Sequence, residues 1–309
     1  MALELCRAKI KHRELYKIMG FFSLVLTTLV WGTSFAFIKL TSIMIDPFTY
    51  TSTRTLIATA TLLPVLITKK VREGVDTTSF KRGFKTGLAY STGLLLQAAG
   101  TAYTTPSVSA FVTGLSSVHV HFYAATVLRS YSLVDLVSLI LAITGLYVLT
   151  KPTGGFAIGE FLVLASTVFW VIQIILVSKY SNSSLLEFLT GVFTAGALYA
   201  PLVLVMRPML TGEVLVYLAY LALACSIIAT LLQVLGQRYI SATTASLIFL
   251  LEPVFATLFS ILLRLEDIDL YKVTGGALIL ISLYTTTLAE LKYRAMSQLN
   301  NRSFKKSYS

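Results

Sequence analysis

The chain has 309 residues, of which 56% are hydrophobic and only 13% charged. Soluble globular chains carry charge on about 25% of their residues, so this composition excludes a soluble protein, and its abundance of aliphatic side chains excludes an intrinsically disordered one. A net charge of +11 would suit nucleic acid in a soluble protein, yet the basic residues gather outside the apolar runs, where anionic headgroups and the positive-inside rule place them, so no nucleic-acid partner is expected.

In chain order, a basic tail over 1–17 leads into residues 18–38, which are free of charge and at ~1.5 Å rise per residue match a hydrocarbon core of ~30 Å. With no small-residue cleavage site in place, this run is expected to stay as the first membrane helix rather than be removed as a signal. Residues 47–68 follow with one charge, Arg54. The stretch 86–128 has no Asp, Glu, Lys or Arg and is about twice as long as one span needs. Thr104, Thr105 and Pro106 interrupt it, and proline starts a helix more readily than it continues one, which predicts two spans joined by a tight loop. Further spans are predicted over 133–150, 157–178, 185–206, 214–237, 243–263 and 271–289. The expected fold is an all-α integral membrane protein of ten transmembrane helices. Two cysteines, Cys6 and Cys225, build neither a disulfide framework nor a cysteine-rich zinc site.

The basic residues set the orientation. Most of the 25 fall in one set of alternating segments: the N-terminal tail, the loop from Lys69 to Lys85, single residues Arg129, Lys179 and Arg238, and the tail beyond Lys292. This bias predicts both termini in the cytoplasm, with the plasma membrane as the expected location. Asn182 and Asn301 match glycosylation acceptors but fall on the inner side and are read as chance matches.

The two halves of the chain repeat each other. Gly20 and Trp31 recur as Gly159 and Trp170, Pro64 as Pro201, Gln97, Gly100 and Tyr103 as Gln233, Gly236 and Tyr239, and Leu146 with Tyr147 as Leu283 with Tyr284. Each half, 18–150 and 157–290, has five predicted helices, and 151–156 links them. An odd number of crossings makes the second half enter from the opposite face, so the halves are predicted to be inverted repeats, an architecture used for alternating access to a central site.

At these residues the chain resembles a known family. The stretch Trp31-Gly32-Thr33-Ser34-Phe35, the 47–54 opening of the second helix, Leu251-Glu252-Pro253-Val254-Phe255 and Glu266 look like the EamA type of the drug/metabolite transporter superfamily, over about residues 18–290. The resemblance implies a secondary carrier, often an exporter of amino acids or other metabolites. The first half departs from the pattern, with Ser117 and Ser130 standing where the repeat places Pro253 and Glu266.

Seven residues are candidates for the substrate path. Glu252 falls near the middle of its predicted helix, where a carboxylate is costly unless paired, hydrated or protonated; it could bind substrate or a coupling proton, or serve the backbone that Pro253 leaves unpaired. His119 and His121 lie at similar depth, but two residues apart they cannot both face the cavity, and either could take part in proton coupling or bond between helices. Arg54 either snorkels to headgroups or faces inward to hold an anionic group, and the resemblance favours the inward reading. Lys39 is expected to snorkel. Trp31 and Trp170 are too deep for an interfacial belt and read as two symmetric cavity walls or as packed aromatics. Gln97 and Gln233 could bind substrate or bond to neighbouring helices. Together these residues suit an amino acid or a related zwitterion. No HExxH, GxSxG or phosphate-binding loop is present, so neither an intramembrane enzyme nor an ATP-driven pump is expected, and no cofactor or metal; a pore or scaffold remains the alternative.

Overall fold

The computed structural model describes residues 2–127, 132–150, 157–206, 210–267, 269–271, 273–282 and 285. The linker 151–156, the C-terminal tail 291–309 and Ser130 lie outside the described residues. The described residues form helices and short connections, with no strand among them. The order is α1 (Ala2–Ser42), α2 (Pro47–Glu73), α3 (Thr77–Thr101), α4 (Pro106–Gly114), α5 (Ser116–Thr126), α6 (Leu133–Thr150), α7 (Ile158–Tyr180), α8 (Leu185–Thr194), α9 (Ala200–Met206), α10 (Gly212–Tyr220), α11 (Ala229–Gln237), α12 (Ala242–Ile248), α13 (Glu252–Leu262) and α14 (Val273–Ser282). Short 3₁₀ segments join α8 to α9 and α12 to α13, and a π-helical stretch, Leu221–Ile228, joins α10 to α11.

Local sequence sets where these helices begin. Asp46 accepts from the backbone N–H groups of Phe48 (2.9 Å) and Thr49 (3.0 Å), while Pro47 gives up a donor that the first turn could not use. Asp76 does the same for Thr78 and Ser79 at the start of α3, and hydrogen bonds from the Ser79 side chain and backbone hold its carboxyl below the usual carboxylate range. The Thr104-Thr105-Pro106 break predicted from sequence is present: Thr105 accepts from Val108 N–H and α4 starts at Pro106. Within the apolar helices many Ser and Thr hydroxyls return to a carbonyl three or four residues back, as Thr41 does to Phe37 (2.7 Å), which satisfies them without water.

By length and composition five helical stretches are able to cross a membrane: Glu14–Ser42, Ile158–Tyr180, Leu185–Val203, Gly212–Gln237 and Ala242–Leu262. Of the remaining expected spans, Thr and Ser dilute the apolar character of α2 and α3, the α4–α5 stretch breaks at Leu115, and the described residues of α6 and α14 include the apolar stretches Leu136–Gly145 and Val273–Ser282.

The packing is reciprocal between the halves. The first helix of one half, α1, lies on α11 and α13 of the other, while its repeat counterpart α7 lies on α3 and α4. Matching glycines make both contacts close. A Cβ on Gly100 would stand 2.5 Å from the Gly159 carbonyl, and one on Gly236 2.9 Å from that of Gly20. Where apolar helices lie in lipid, such close backbone approach supplies dispersion contact that a hydrophobic driving force between them cannot. The tightest approach is between α3 and α8, where a Cβ on Gly83 would meet the Phe188 carbonyl at 2.0 Å and one on Gly87 the Val192 carbonyl at 2.1 Å, backbone atoms that cannot rotate away.

Gly87→Ala is therefore expected to lower thermal stability in detergent by about 1–3 kcal/mol, the usual cost of overpacking. Gly212→Ala, whose Cβ meets nothing within 4 Å at the start of α10, is expected to leave stability unchanged or raise it by up to about 1 kcal/mol. Melting temperatures of the two variants side by side check the contrast.

Candidate functional site

One cavity in the bundle, with about 490 Å³ of space not filled by atoms when the open solvent at its mouth is included, draws on both halves. Its walls are Trp31 and Ser34 from α1, Arg54 from α2, Tyr90, Leu94 and Gln97 from α3, Thr113 and Ser116 flanking the α4–α5 break, Trp170, Gln173 and Ile174 from α7, Phe249 from the 3₁₀ turn, and Glu252 at the start of α13. Both interrupted stretches, α4–α5 and α12–α13, break at this cavity, as discontinuous membrane helices do around binding sites.

Arg54 is 2% exposed. A cation so placed needs hydrogen bonds and charge compensation, because its desolvation costs several kcal/mol. Its Nε donates to Ser226 Oγ (2.8 Å) and one Nη to the Tyr50 hydroxyl, one helical turn back, whose ring centroid lies 5.7 Å from the guanidinium carbon. Ser226 also receives the Tyr90 hydroxyl (3.0 Å). Among the described residues no carboxylate lies within ion-pair distance of Arg54. The guanidinium thus keeps N–H donors toward the cavity.

Glu252 is the other charged residue of the wall. It is half-buried, and among the described residues its carboxylate takes part in no hydrogen bond or ion pair, so it does not serve the backbone freed by Pro253. The cavity therefore holds one guanidinium and one carboxyl group that are not joined to each other. Such a pair is costly to keep dry and ready to receive a partner of opposite polarity.

The aromatic walls differ in their bonding. Trp31 donates through Nε1 to the Cys225 carbonyl (2.9 Å), and its ring lies 5.4 Å from that of Phe249. Trp170 meets Tyr90 edge-on at 5.6 Å and lies over Gly93, where a Cβ would be 3.2 Å from the indole. Both rings line the cavity, together with the polar side chains of Ser34, Gln97, Thr113, Ser116 and Gln173.

Five of the seven sequence candidates, Trp31, Arg54, Gln97, Trp170 and Glu252, come together at this cavity. The other two do not. Gln233 lies fully buried behind the wall, where it exchanges two hydrogen bonds (2.8 and 3.1 Å) with Gln173, and Gln173 is the amide that lines the cavity. His119 is exposed on α5, and His121, buried, places Nδ1 2.7 Å from the Ser117 carbonyl; neither histidine lines the cavity. The α5 helix turns these positions away from the site as it packs on α7 and α12. Lys39, expected to snorkel, instead donates to the Ala102 carbonyl at 2.8 Å. Glu266 caps α4, accepting from Ser107 N–H (3.0 Å) and Ser107 Oγ (2.5 Å), and Ser117 ties α5 to the Ser246 carbonyl at 2.6 Å.

Sequence reasoning missed Ser34, Gln173, Tyr50, Tyr90 and Ser226. Helical spacing could have found three of them: Ser34 and Gln173 stand three residues beyond Trp31 and Trp170, on the same face, and Tyr50 stands four before Arg54. Nothing in the sequence marks Ser226.

Comparison with known proteins agrees with this architecture. The EamA-like transporter family matches the chain twice, over residues 18–151 and 157–288. An uncharacterized transporter of Archaeoglobus fulgidus is 30% identical over 282 residues, covering 89% of this chain and 87% of that one. A solved crystal structure superimposes with a TM-score of 0.70 over 91% of this chain and 99% of its own, at 15% identity, a likeness of fold alone. The double match spans nearly the whole of the described bundle, and the chain belongs to the EamA-like transporter family.

Proposed function

We propose that this membrane transporter is a secondary carrier that moves a small zwitterionic metabolite, such as an amino acid, out of the cell by alternating access. The observation that carries this reading is the wall of the cavity, with Arg54 and Glu252 as its two charged groups, no bond between them, and Trp31, Phe249, Trp170 and Tyr90 around them. A carboxylate matches the first, an ammonium group the second, and an aliphatic or aromatic side chain the rings. The remaining parts of the reading are ten spans, two inverted five-helix repeats over 18–150 and 157–290 joined by 151–156, and tails 1–17 and 291–309 in the cytoplasm beneath the plasma membrane. The matched family repeat and the reciprocal packing of α1 and α7 support it. With the two halves exchanging roles around one cavity, each opening has a symmetric counterpart. Glu252 also carries the coupling proton in this scheme, since it is the one carboxylate of the wall.

Purified protein in proteoliposomes is expected to catalyse saturable exchange of radiolabelled amino acids, with trans-stimulation by unlabelled substrate. Linear, unsaturable flux would identify a pore, and absence of flux across the panel would remove the carrier reading.

Glu252→Gln preserves shape and hydrogen-bonding capacity and removes the titratable proton. If Glu252 carries the coupling proton, the variant retains exchange but loses accumulation driven by a pH gradient. If the carboxylate holds the substrate ammonium group, affinity falls by about 1.5–3 kcal/mol, the worth of a hydrogen bond to a charged group. Unchanged affinity together with unchanged gradient-driven flux would reject both roles.

The orientation is tested with single cysteines at two exposed positions, Thr78 and Gly212, in a background lacking Cys6 and Cys225. A membrane-impermeant thiol reagent applied to intact cells is expected to label Gly212→Cys and spare Thr78→Cys. The reverse pattern would invert the topology.

A further inference from the structure

We propose that Ser226, presented by the π-helical stretch between α10 and α11, is a positioning residue that aims the Arg54 guanidinium at an anionic group in the cavity. The inference rests on the zwitterion reading above and adds to it the element that orients the cationic end.

The stretch Leu221–Ile228 is wound so that bonds reach five residues back, as from Ala229 N–H to the Ala224 carbonyl. π-Turns of this kind are rare in helices and recur at functional sites. Many Ser and Thr hydroxyls elsewhere in the bundle bond to carbonyls three or four residues back, but Ser226 Oγ donates to Leu221 O, five back, at 3.1 Å. A serine hydroxyl has one donor and two acceptor sites. Its proton is committed to Leu221, so its lone pairs receive Arg54 Nε–H at 2.8 Å and the Tyr90 hydroxyl at 3.0 Å. All three sites are used, and the hydroxyl has no freedom left to turn.

Because a guanidinium is planar, fixing Nε on Ser226 and one Nη on the Tyr50 hydroxyl fixes the whole plane and the direction of the donors that remain. Those donors belong to a wall residue of the cavity. The same turn directs the Cys225 carbonyl at Trp31 Nε1 (2.9 Å), so one irregular turn of the second half holds a cation and an aromatic wall contributed by the first. In ordinary α-helical winding Ser226 would reach a nearer carbonyl and would no longer stand in this relation to Arg54.

The two tryptophans of the chain, Trp31 and Trp170, both line the cavity, so intrinsic emission of the full-length protein reports on its occupancy. The probes are 4-methylpentanoate, which offers a carboxylate alone, and 3-methylbutylamine, which offers an ammonium group alone. Ser226→Ala is expected to raise the half-saturating concentration of the carboxylate about tenfold while leaving that of the amine within about twofold, and Ser226→Thr to restore the carboxylate. In an Arg54→Lys background, which lacks the Nε bond, Ser226→Ala is expected to add no further loss, since a positioning residue acts through its partner. Melting temperatures accompany every variant, and if Ser226→Ala does not fold, Ser226→Cys, similar in size and a weak hydrogen-bonding group, replaces it. Equal losses for both probes, additive losses in the Arg54→Lys background, or a wild-type emission that does not respond to the carboxylate would overturn the proposal. Carboxylate binding without amino-acid flux would keep this assignment and remove the carrier reading; flux with Ser226→Ala indistinguishable from wild type in carboxylate binding would do the reverse.

Discussion

A guanidinium buried in an apolar helical bundle is the constraint around which the rest of this structure is arranged. Arg54 cannot shed its proton, so the protein must supply donors' partners and a compensating environment or leave the site unstable. It does so with neutral groups: the Tyr50 hydroxyl, the Ser226 hydroxyl and, through Ser226, that of Tyr90. None of these neutralises the charge. The one carboxyl group in the wall of the same cavity is Glu252, which makes no bond to Arg54. In the reading proposed above, a bound zwitterion supplies a partner to each.

The helical frame makes this separation possible. Arg54 comes from one half and Glu252 from the other, and the halves interlock through α1 on α11 and α7 on α3. Glycines at both contacts bring the backbones together, and the symmetric pairs Gly100–Gly159 and Gly20–Gly236 show that one packing solution is used twice. The symmetry is broken at the site. The π-helical stretch binds Trp31 through the Cys225 carbonyl, whereas the nitrogen of its counterpart Trp170 has no hydrogen-bond partner among the described residues. At one end of the bundle Lys69 reaches across to Glu187 at 2.7 Å, and Ser184 bonds to the same carboxylate. At the other, Glu266 holds the start of α4. These polar ties and the cavity that Arg54 and Glu252 line are the parts on which the proposed alternating access rests.

Much of the frame was legible in the sequence, because membrane helices announce themselves by uncharged length and their ends by Asp, Thr and Pro. The Thr104-Thr105-Pro106 break and the repeat of Trp31 and Gln97 as Trp170 and Gln233 needed only spacing. The site was legible in part. Depth along a helix identified Arg54, Glu252 and both tryptophans, but depth does not give the facing direction, which is why His119 and His121 were both open as candidates and neither lines the cavity. Gln233 was chosen for its symmetry with Gln97, yet each half seats its glutamine differently: Gln97 bonds to Thr113 at 3.0 Å at the cavity wall, while Gln233 is held behind Gln173. The role of Ser226 was invisible, since it depends on one irregular turn whose sequence, Leu221 to Ile228, reads as ordinary apolar helix.

The proposed carrier function requires that the cavity lined by Arg54 and Glu252 open in turn to the two sides of the membrane. Ser34, a small residue of its wall, offers the most direct measurement: Ser34→Cys in a background lacking Cys6 and Cys225, exposed to an impermeant thiol reagent in right-side-out and in inside-out vesicles. The account predicts labelling from each side, with cross-links across either end of the bundle abolishing labelling from that side alone. Labelling confined to one side whatever the cross-link, or persisting from both sides when both ends are locked, would contradict it.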